Sequence, residues 1–204
     1  HEDRGLMPKA FYQKYVDISL RDYTPIINEP TFDKPLDTPI QFHAVENMTG
    51  RDMKALNLTQ EALEELCVKQ LKDGQAIWFA CDAGAFGARK EGVWDPDSVK
   101  YEALLGDFST AMPKGKRLEY NSSSANHAML LTGVHFDASG RPDRWKIENS
   151  WGEEVGDKGY FVCSESYFKE YIYEAVIDRK HFTSEQLALL EKEPVIINAW
   201  DEDD

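Results

Sequence analysis

The sequence contains no apolar run near the roughly 20 residues that a membrane-spanning helix needs, and no charged-then-apolar leader stands at its start. It is also poor in cysteine, with three in 204 residues, Cys67, Cys81 and Cys163. That number is odd and the spacing is neither CxxC nor a zinc pattern, which argues against a disulfide framework and a structural zinc site. Buried free thiols in a reduced compartment, read here as the cytoplasm, are the expectation. Positive charge is scarce, 23 Lys and Arg against 37 Asp and Glu, for a net charge of -14 at pH 7. A field of that sign repels phosphate backbones, so nucleic acid is not an expected partner. His43, His135 and His181 fall in no HxH or HExxH spacing, and no metal is expected. Internal repeats and a clean linker are lacking as well.

What remains is a chain with 42% hydrophobic and 12% aromatic residues, enough for a packed core. The pattern is α+β. A helix is expected over Met7–Val16, with Pro8 at its first position and Phe11, Tyr12, Tyr15 and Val16 on one face. Residues 20–58 read as loops and edge strands, with extended runs at Thr24–Ile27 and Thr38–Val45. Thr59 starts a helix with Leu63, Leu66, Cys67 and Leu71 as its buried stripe and Gly74 as its stop. Residues 75–81 read as a buried strand and 82–126 as a long irregular excursion, a kind of loop that is usually functional.

The later part is read more sharply. His127–Phe136 is a strand, Asp137–Asp143 a turn and Arg144–Asn149 a second strand. Tyr160–Cys163 and Tyr173–Asp178 are further strands, separated by a short helix, Glu165–Tyr171, capped by Ser164. Thr183 and Gln186 form a capping box for the last helix, and Val195–Ala199 extends after Pro194.

His127 and Asn149 lie 22 residues apart. A hairpin centred near Ala138 would set them opposite each other, with about 5 Å between their Cβ atoms. An Asn there accepts a hydrogen bond from one imidazole nitrogen and fixes the other for proton transfer with a nucleophile. Trp151 would shield that bond from water.

The string Asn126-His-Ala-Met, the segment Trp145-Lys-Ile-Glu-Asn-Ser-Trp-Gly152 and the Lys158-Gly-Tyr that follows resemble the bleomycin hydrolase/aminopeptidase C branch of the papain-like cysteine peptidases. Ala76–Asp82, Tyr167–Lys180, Glu193–Ile197 and Ala199–Asp201 extend the likeness over most of the chain. The resemblance implies a papain-like fold, with residues 1–112 as the family-specific insertion and the start of the β subdomain. Residues 113–204 would be the His- and Asn-bearing β subdomain with a C-terminal helix and arm.

It also implies a cysteine aminopeptidase acting on peptides without a cofactor, with His127 as general acid/base and Asn149 as its orienter. Assembly as a homohexamer is implied too. The family's nucleophilic Cys and oxyanion-hole Gln have no counterpart here, since no Gln-x-x-x-x-x-Cys-Trp segment occurs. A separate Cys-bearing N-terminal half is therefore the expected partner, and the polar start at His1 is read as the start of one part of a longer or split enzyme. Cys81, at the end of a strand, has no helix N-terminus to favour a thiolate. Asp82, at the end of its strand, has two readings, a site residue and a turn residue, of which the turn is preferred. The family's C-terminal carboxylate grips a substrate ammonium, which makes Asp204 a candidate for that role, although the tail Glu202-Asp203-Asp204 departs from the family pattern. An endopeptidase with an altered arm and a non-catalytic homologue are the competing readings.

Overall fold

The computed structural model describes residues 3–16, 18–43, 52–106 and 111–198. Its strands are β1 (Tyr23–Ile27), β2 (Thr38–His43), β3 (Met53–Asn57), β4 (Ile77–Cys81), β5 (Gly87–Ala88), β6 (Val93–Trp94), β7 (His127–Phe136), β8 (Pro142–Glu148), β9 (Tyr160–Ser164), β10 (Ile172–Asp178) and β11 (Val195–Asn198). Among the described residues they join one sheet in the order β11-β2-β3-β1-β10-β4-β7-β8-β9-β6-β5. Strands from both sides of position 112 alternate in this order, so the sheet is continuous across it. The helices are α1 (Pro8–Tyr15), α2 (Gln60–Lys72), α3 (Tyr101–Leu105), α4 (Lys114–Glu119), α5 (Glu165–Tyr171) and α6 (Ser184–Leu189). The α+β class expected from the sequence is the class found.

Local chemistry explains the helix ends. The Thr59 side chain accepts from the Ala62 N–H, and Gly74, at φ 78°, follows the end of α2. Ser164 accepts from the Tyr167 N–H at the start of α5, and Thr183 with Gln186 forms the full capping box of α6. One face of the sheet is covered by α2 and α5. Leu63, Leu66 and Cys67 of α2 join Phe79, Leu131, Ile147, Phe161 and Phe168 in the main core. Trp145 stacks on Phe168 at 4.0 Å and donates its indole N–H to Glu165 at 2.7 Å, so the ring is buried with its donor satisfied.

The first helix forms at Pro8–Tyr15, and its Phe11 is 51% and its Tyr15 43% exposed. Two sequence expectations are corrected. Met53–Asn57 is an interior strand held by both β1 and β2, not a loop or edge. Its Ala55, Leu56 and Asn57 are all buried, a pattern without the period-2 alternation that reveals half-buried strands. Within the excursion, α4 carries Lys114, a buried lysine whose ammonium donates to Gln60 Oε1 and to the carbonyls of Lys169 and Ile172. Burial pushes that ammonium down to about 7. Gly115 beside it lets the helix touch the Pro30 carbonyl, which a Cβ would meet at 2.1 Å. The β2 expectation ran to Val45; the strand ends at His43, and Val45 lies outside the described residues.

Glu174 of β10 sits between Ile27 of β1 and Ala80 of β4. Burial, with repulsion from Glu29, pushes its carboxyl up from 4.5 to about 7. The folded value is the higher one, so this contribution to stability is complete below about 4.5 and fades as pH rises towards 7. Urea midpoints of the wild type should fall across that window, and those of Glu174→Gln should fall less. Identical pH profiles for the two proteins would refute the assignment.

Candidate active site

His127 is the first residue of β7. It pairs with Cys81 of β4 on one side, while the β7–β8 ladder on the other side begins only at Leu130↔Glu148. The observed register corrects the sequence geometry. The Asp137 carboxylate accepts from the N–H groups of Ser139 and Arg141, and the turn centres near Ser139 rather than Ala138. That carries position 149 to the level of Met129, two residues from His127. Residues 127 and 129 point to the same face, so the contact is diagonal rather than directly opposed. Asn149 itself has left the ladder; its N–H donates to the Gly159 carbonyl at 3.0 Å.

The two side chains meet, with His127 Nε2 2.9 Å from Asn149 Oδ1. The Ser150 N–H also donates to that oxygen, at 2.8 Å. A backbone donor fixes which end of the amide is the oxygen, and an amide oxygen only accepts. Nε2 therefore carries the proton and Nδ1 is left as the basic atom. Trp151 lies against the imidazole, ring centroids 4.9 Å apart and planes 19° apart, and its aromatic neighbours on the other sides are Trp94 and Phe161. The half-buried histidine thus has a fixed tautomer, a fixed plane and one free nitrogen suited to proton transfer.

The segment before His127 is anchored by Asp82, a group that the sequence suggests first as a turn former. Asp82 does make the turn, accepting from the Gly84 N–H, but it is 8% exposed and does more. It accepts from Asn126 Nδ2 and from Ser123 Oγ, both at 2.7 Å, and Ser123 meets the Tyr173 hydroxyl. Tyr167 donates to the Asp82 carbonyl. A buried carboxylate thus holds the residue next to the histidine. The sequence argument gives Ser123, Asn126 and Tyr173 no part in the site, because a polar run followed by a strand carries no periodic signal. Ser123, Ser124 and Ala125 also wall a cavity of about 310 Å³ shared with Glu29, Thr31 and Phe42.

The other candidates separate cleanly. Cys81 pairs with His127 in the ladder, yet it is fully buried and burial pushes its thiol up to about 12. Cys67 and Cys163 are buried too, and their thiols are raised for the same reason. His43 faces Asp52, His135 faces Asp143 and His181 faces Asp73, each as a separate pair. Among the described residues no group of three or more His, Cys, Asp or Glu side chains suits a metal ion, and no helix is long and apolar enough to cross a membrane. Asp204 lies outside the described residues. Iodoacetamide at neutral pH should leave all three thiols of the native chain unmodified and should label all three in denaturant, as read by mass spectrometry. Rapid native labelling of Cys81 would contradict its burial and reopen it as a nucleophile.

The sequence matches the Peptidase C1-like family over residues 1–203. Aminopeptidase C of Listeria innocua is 39% identical over 201 residues, covering 98% of this chain and 45% of the relative. Aminopeptidase G of Lactobacillus delbrueckii subsp. lactis is 40% identical over 202 residues with the same coverage. The chain thus spans about half the length of the curated relatives it matches. The solved structure of PepW from Lactobacillus rhamnosis superposes with a TM-score of 0.92 at 39% identity, over 99% of this chain and 46% of that one. The chain has the papain-like fold and belongs to the Peptidase C1-like family.

Proposed function

We propose that this chain supplies the acid/base half of a cysteine aminopeptidase, with the nucleophilic thiol coming from a Cys-bearing segment outside it. The observation that carries the reading is the His127–Asn149 bond, whose fixed tautomer leaves Nδ1 free. The relatives named aminopeptidase C and G support the exopeptidase reading. The Asn149 Nδ2, a buried donor with no partner among the described residues, suits a site that another segment completes. An unmade bond at such a donor costs about 1–3 kcal/mol, which a carbonyl of the missing segment would recover.

Nδ1 takes the thiol proton, and the Asn149 oxygen and the face of Trp151 hold the resulting imidazolium. The thiolate attacks the scissile carbonyl to give a tetrahedral adduct. Nδ1–H then protonates the leaving amine, and the first product departs. In the second half, Nδ1 takes a proton from water, the hydroxide cleaves the thioester and the thiol recovers its proton. None of the three buried thiols of this chain is placed for that attack. The reading includes assembly as a homo-oligomer, and the cytoplasm is the compartment that suits unpaired cysteines.

Combining this chain with a Cys-bearing N-terminal segment should give hydrolysis of aminoacyl-amide reporters. His127→Ala should lower kcat by about 10³-fold or more. Asn149→Ala should lower it less, with a broadened pH profile. N-acetylated peptides should not be cleaved, since an exopeptidase requires the free amine. An active His127→Ala enzyme would sink the assignment, and cleavage of acetylated peptides would favour an endopeptidase.

A further inference from the structure

Arg89 lies in the tight turn between β5 and β6. The turn is closed by the Gly92 N–H donating to the Ala88 carbonyl at 2.9 Å. It is seated on the loop that follows Trp151. The Gly156 N–H donates to the Lys90 carbonyl at 3.1 Å, and the Val162 N–H to the Gly92 carbonyl at 2.8 Å. Gly92 is at φ 73°, and a Cβ on it would stand 2.5 Å from the Gly156 Cα, so the two backbones touch where only glycine fits.

This seat brings the Arg89 guanidinium carbon to 4.5 Å from the centroid of the Trp151 ring. Among the described residues Arg89 makes no ion pair or hydrogen bond, and the indole is what its cation meets. The same indole stacks on the imidazole of His127. A guanidinium over an indole is drawn to the ring's negative face, and the planar fork also stacks on it. Trp151 is therefore gripped by a cation as well as by its aromatic neighbours, and it passes that constraint to the imidazole plane.

We propose that Arg89 is a positioning residue for the His127–Asn149 pair, acting through Trp151. The inference rests on the reading of His127 as the acid/base. Arg89 touches no reacting atom. It keeps the indole flat against the imidazole, which keeps water off the Nε2–H bond and keeps Nδ1 aimed. Loosening the indole lets water reach the imidazole and spreads its orientation. The loss then falls on kcat, which needs the aim, more than on KM.

The test uses Arg89→Met and Arg89→Lys in this chain, with exchange of the His127 Nε2 proton with water followed by NMR. The same chains are then assayed with the Cys-bearing segment. The methionine variant should exchange that proton severalfold faster, because the indole is no longer held and water reaches the bond. It should lose about threefold to tenfold in kcat with KM little changed. The lysine variant, which keeps a cation, should recover most of both effects. A methionine variant with wild-type exchange and wild-type kcat overturns the inference, and so does a lysine variant that behaves like methionine. His127→Ala separates the two levels. If that enzyme stays active, the acid/base reading fails and the catalytic part of this inference fails with it. If it is dead while Arg89→Met is unchanged, Arg89 alone is misassigned.

Discussion

The site depends on one atom, the side-chain oxygen of Asn149. It accepts from the Ser150 N–H and faces His127 Nε2 at 2.9 Å. The backbone donor removes the ambiguity of the amide, the amide removes the ambiguity of the imidazole, and a single nitrogen is left to exchange protons. Had the amide turned, its NH₂ would face Nε2 and favour the opposite tautomer, which puts the proton on the wrong side of the ring. The peptide chemistry of one turn thus sets the protonation pattern of a candidate catalytic group.

The surroundings serve that arrangement at two distances. Close in, the Trp151 ring limits how far the imidazole tilts and restricts water, which strengthens a hydrogen bond in its shelter. Farther out, Asp82 ties Asn126, Ser123 and, through Ser123, Tyr173 into one buried polar network at the end of β4. Buried polar groups are costly unless every member is paired. The network therefore resists small displacements of the chain that enters β7. The histidine is placed by a sheet, a polar anchor and an aromatic wall together.

What the sequence made legible was local. The bounds of β7 and α5 emerge as expected, because an apolar run bounded by a turn and a serine cap are written in neighbouring residues. The capping box at Thr183 is equally local. The meeting of His127 and Asn149 was legible as a proximity, although its register was two residues off, since the Asp137 side chain that sets the turn competes with simple hairpin counting. Other features depend on residues distant in sequence. Lys114 on α4 is buried because acceptors from α2, α5 and β10 converge on it, and none of them is visible from Lys-Gly-Lys-Arg. Met53–Asn57 becomes a strand because β1 and β2 flank it. Asp82 and Arg89 gain their roles from partners about 40 to 60 positions away, beyond the reach of any periodic pattern.

The strand order has a consequence for how the chain comes to be folded. Between β1 and β4 lies β10, made of residues 172–178, and β2 has β11 as its outer neighbour. As the polypeptide leaves the ribosome, β1 and β4 emerge before β10 and wait for a strand synthesised about a hundred residues after β4. Until then their edges and the apolar residues of β4 have no cover from it. Such late, non-local closure makes folding slow and leaves strand edges open to pairing with other chains. The sheet that holds His127 in place is thus closed by strands made after the histidine itself.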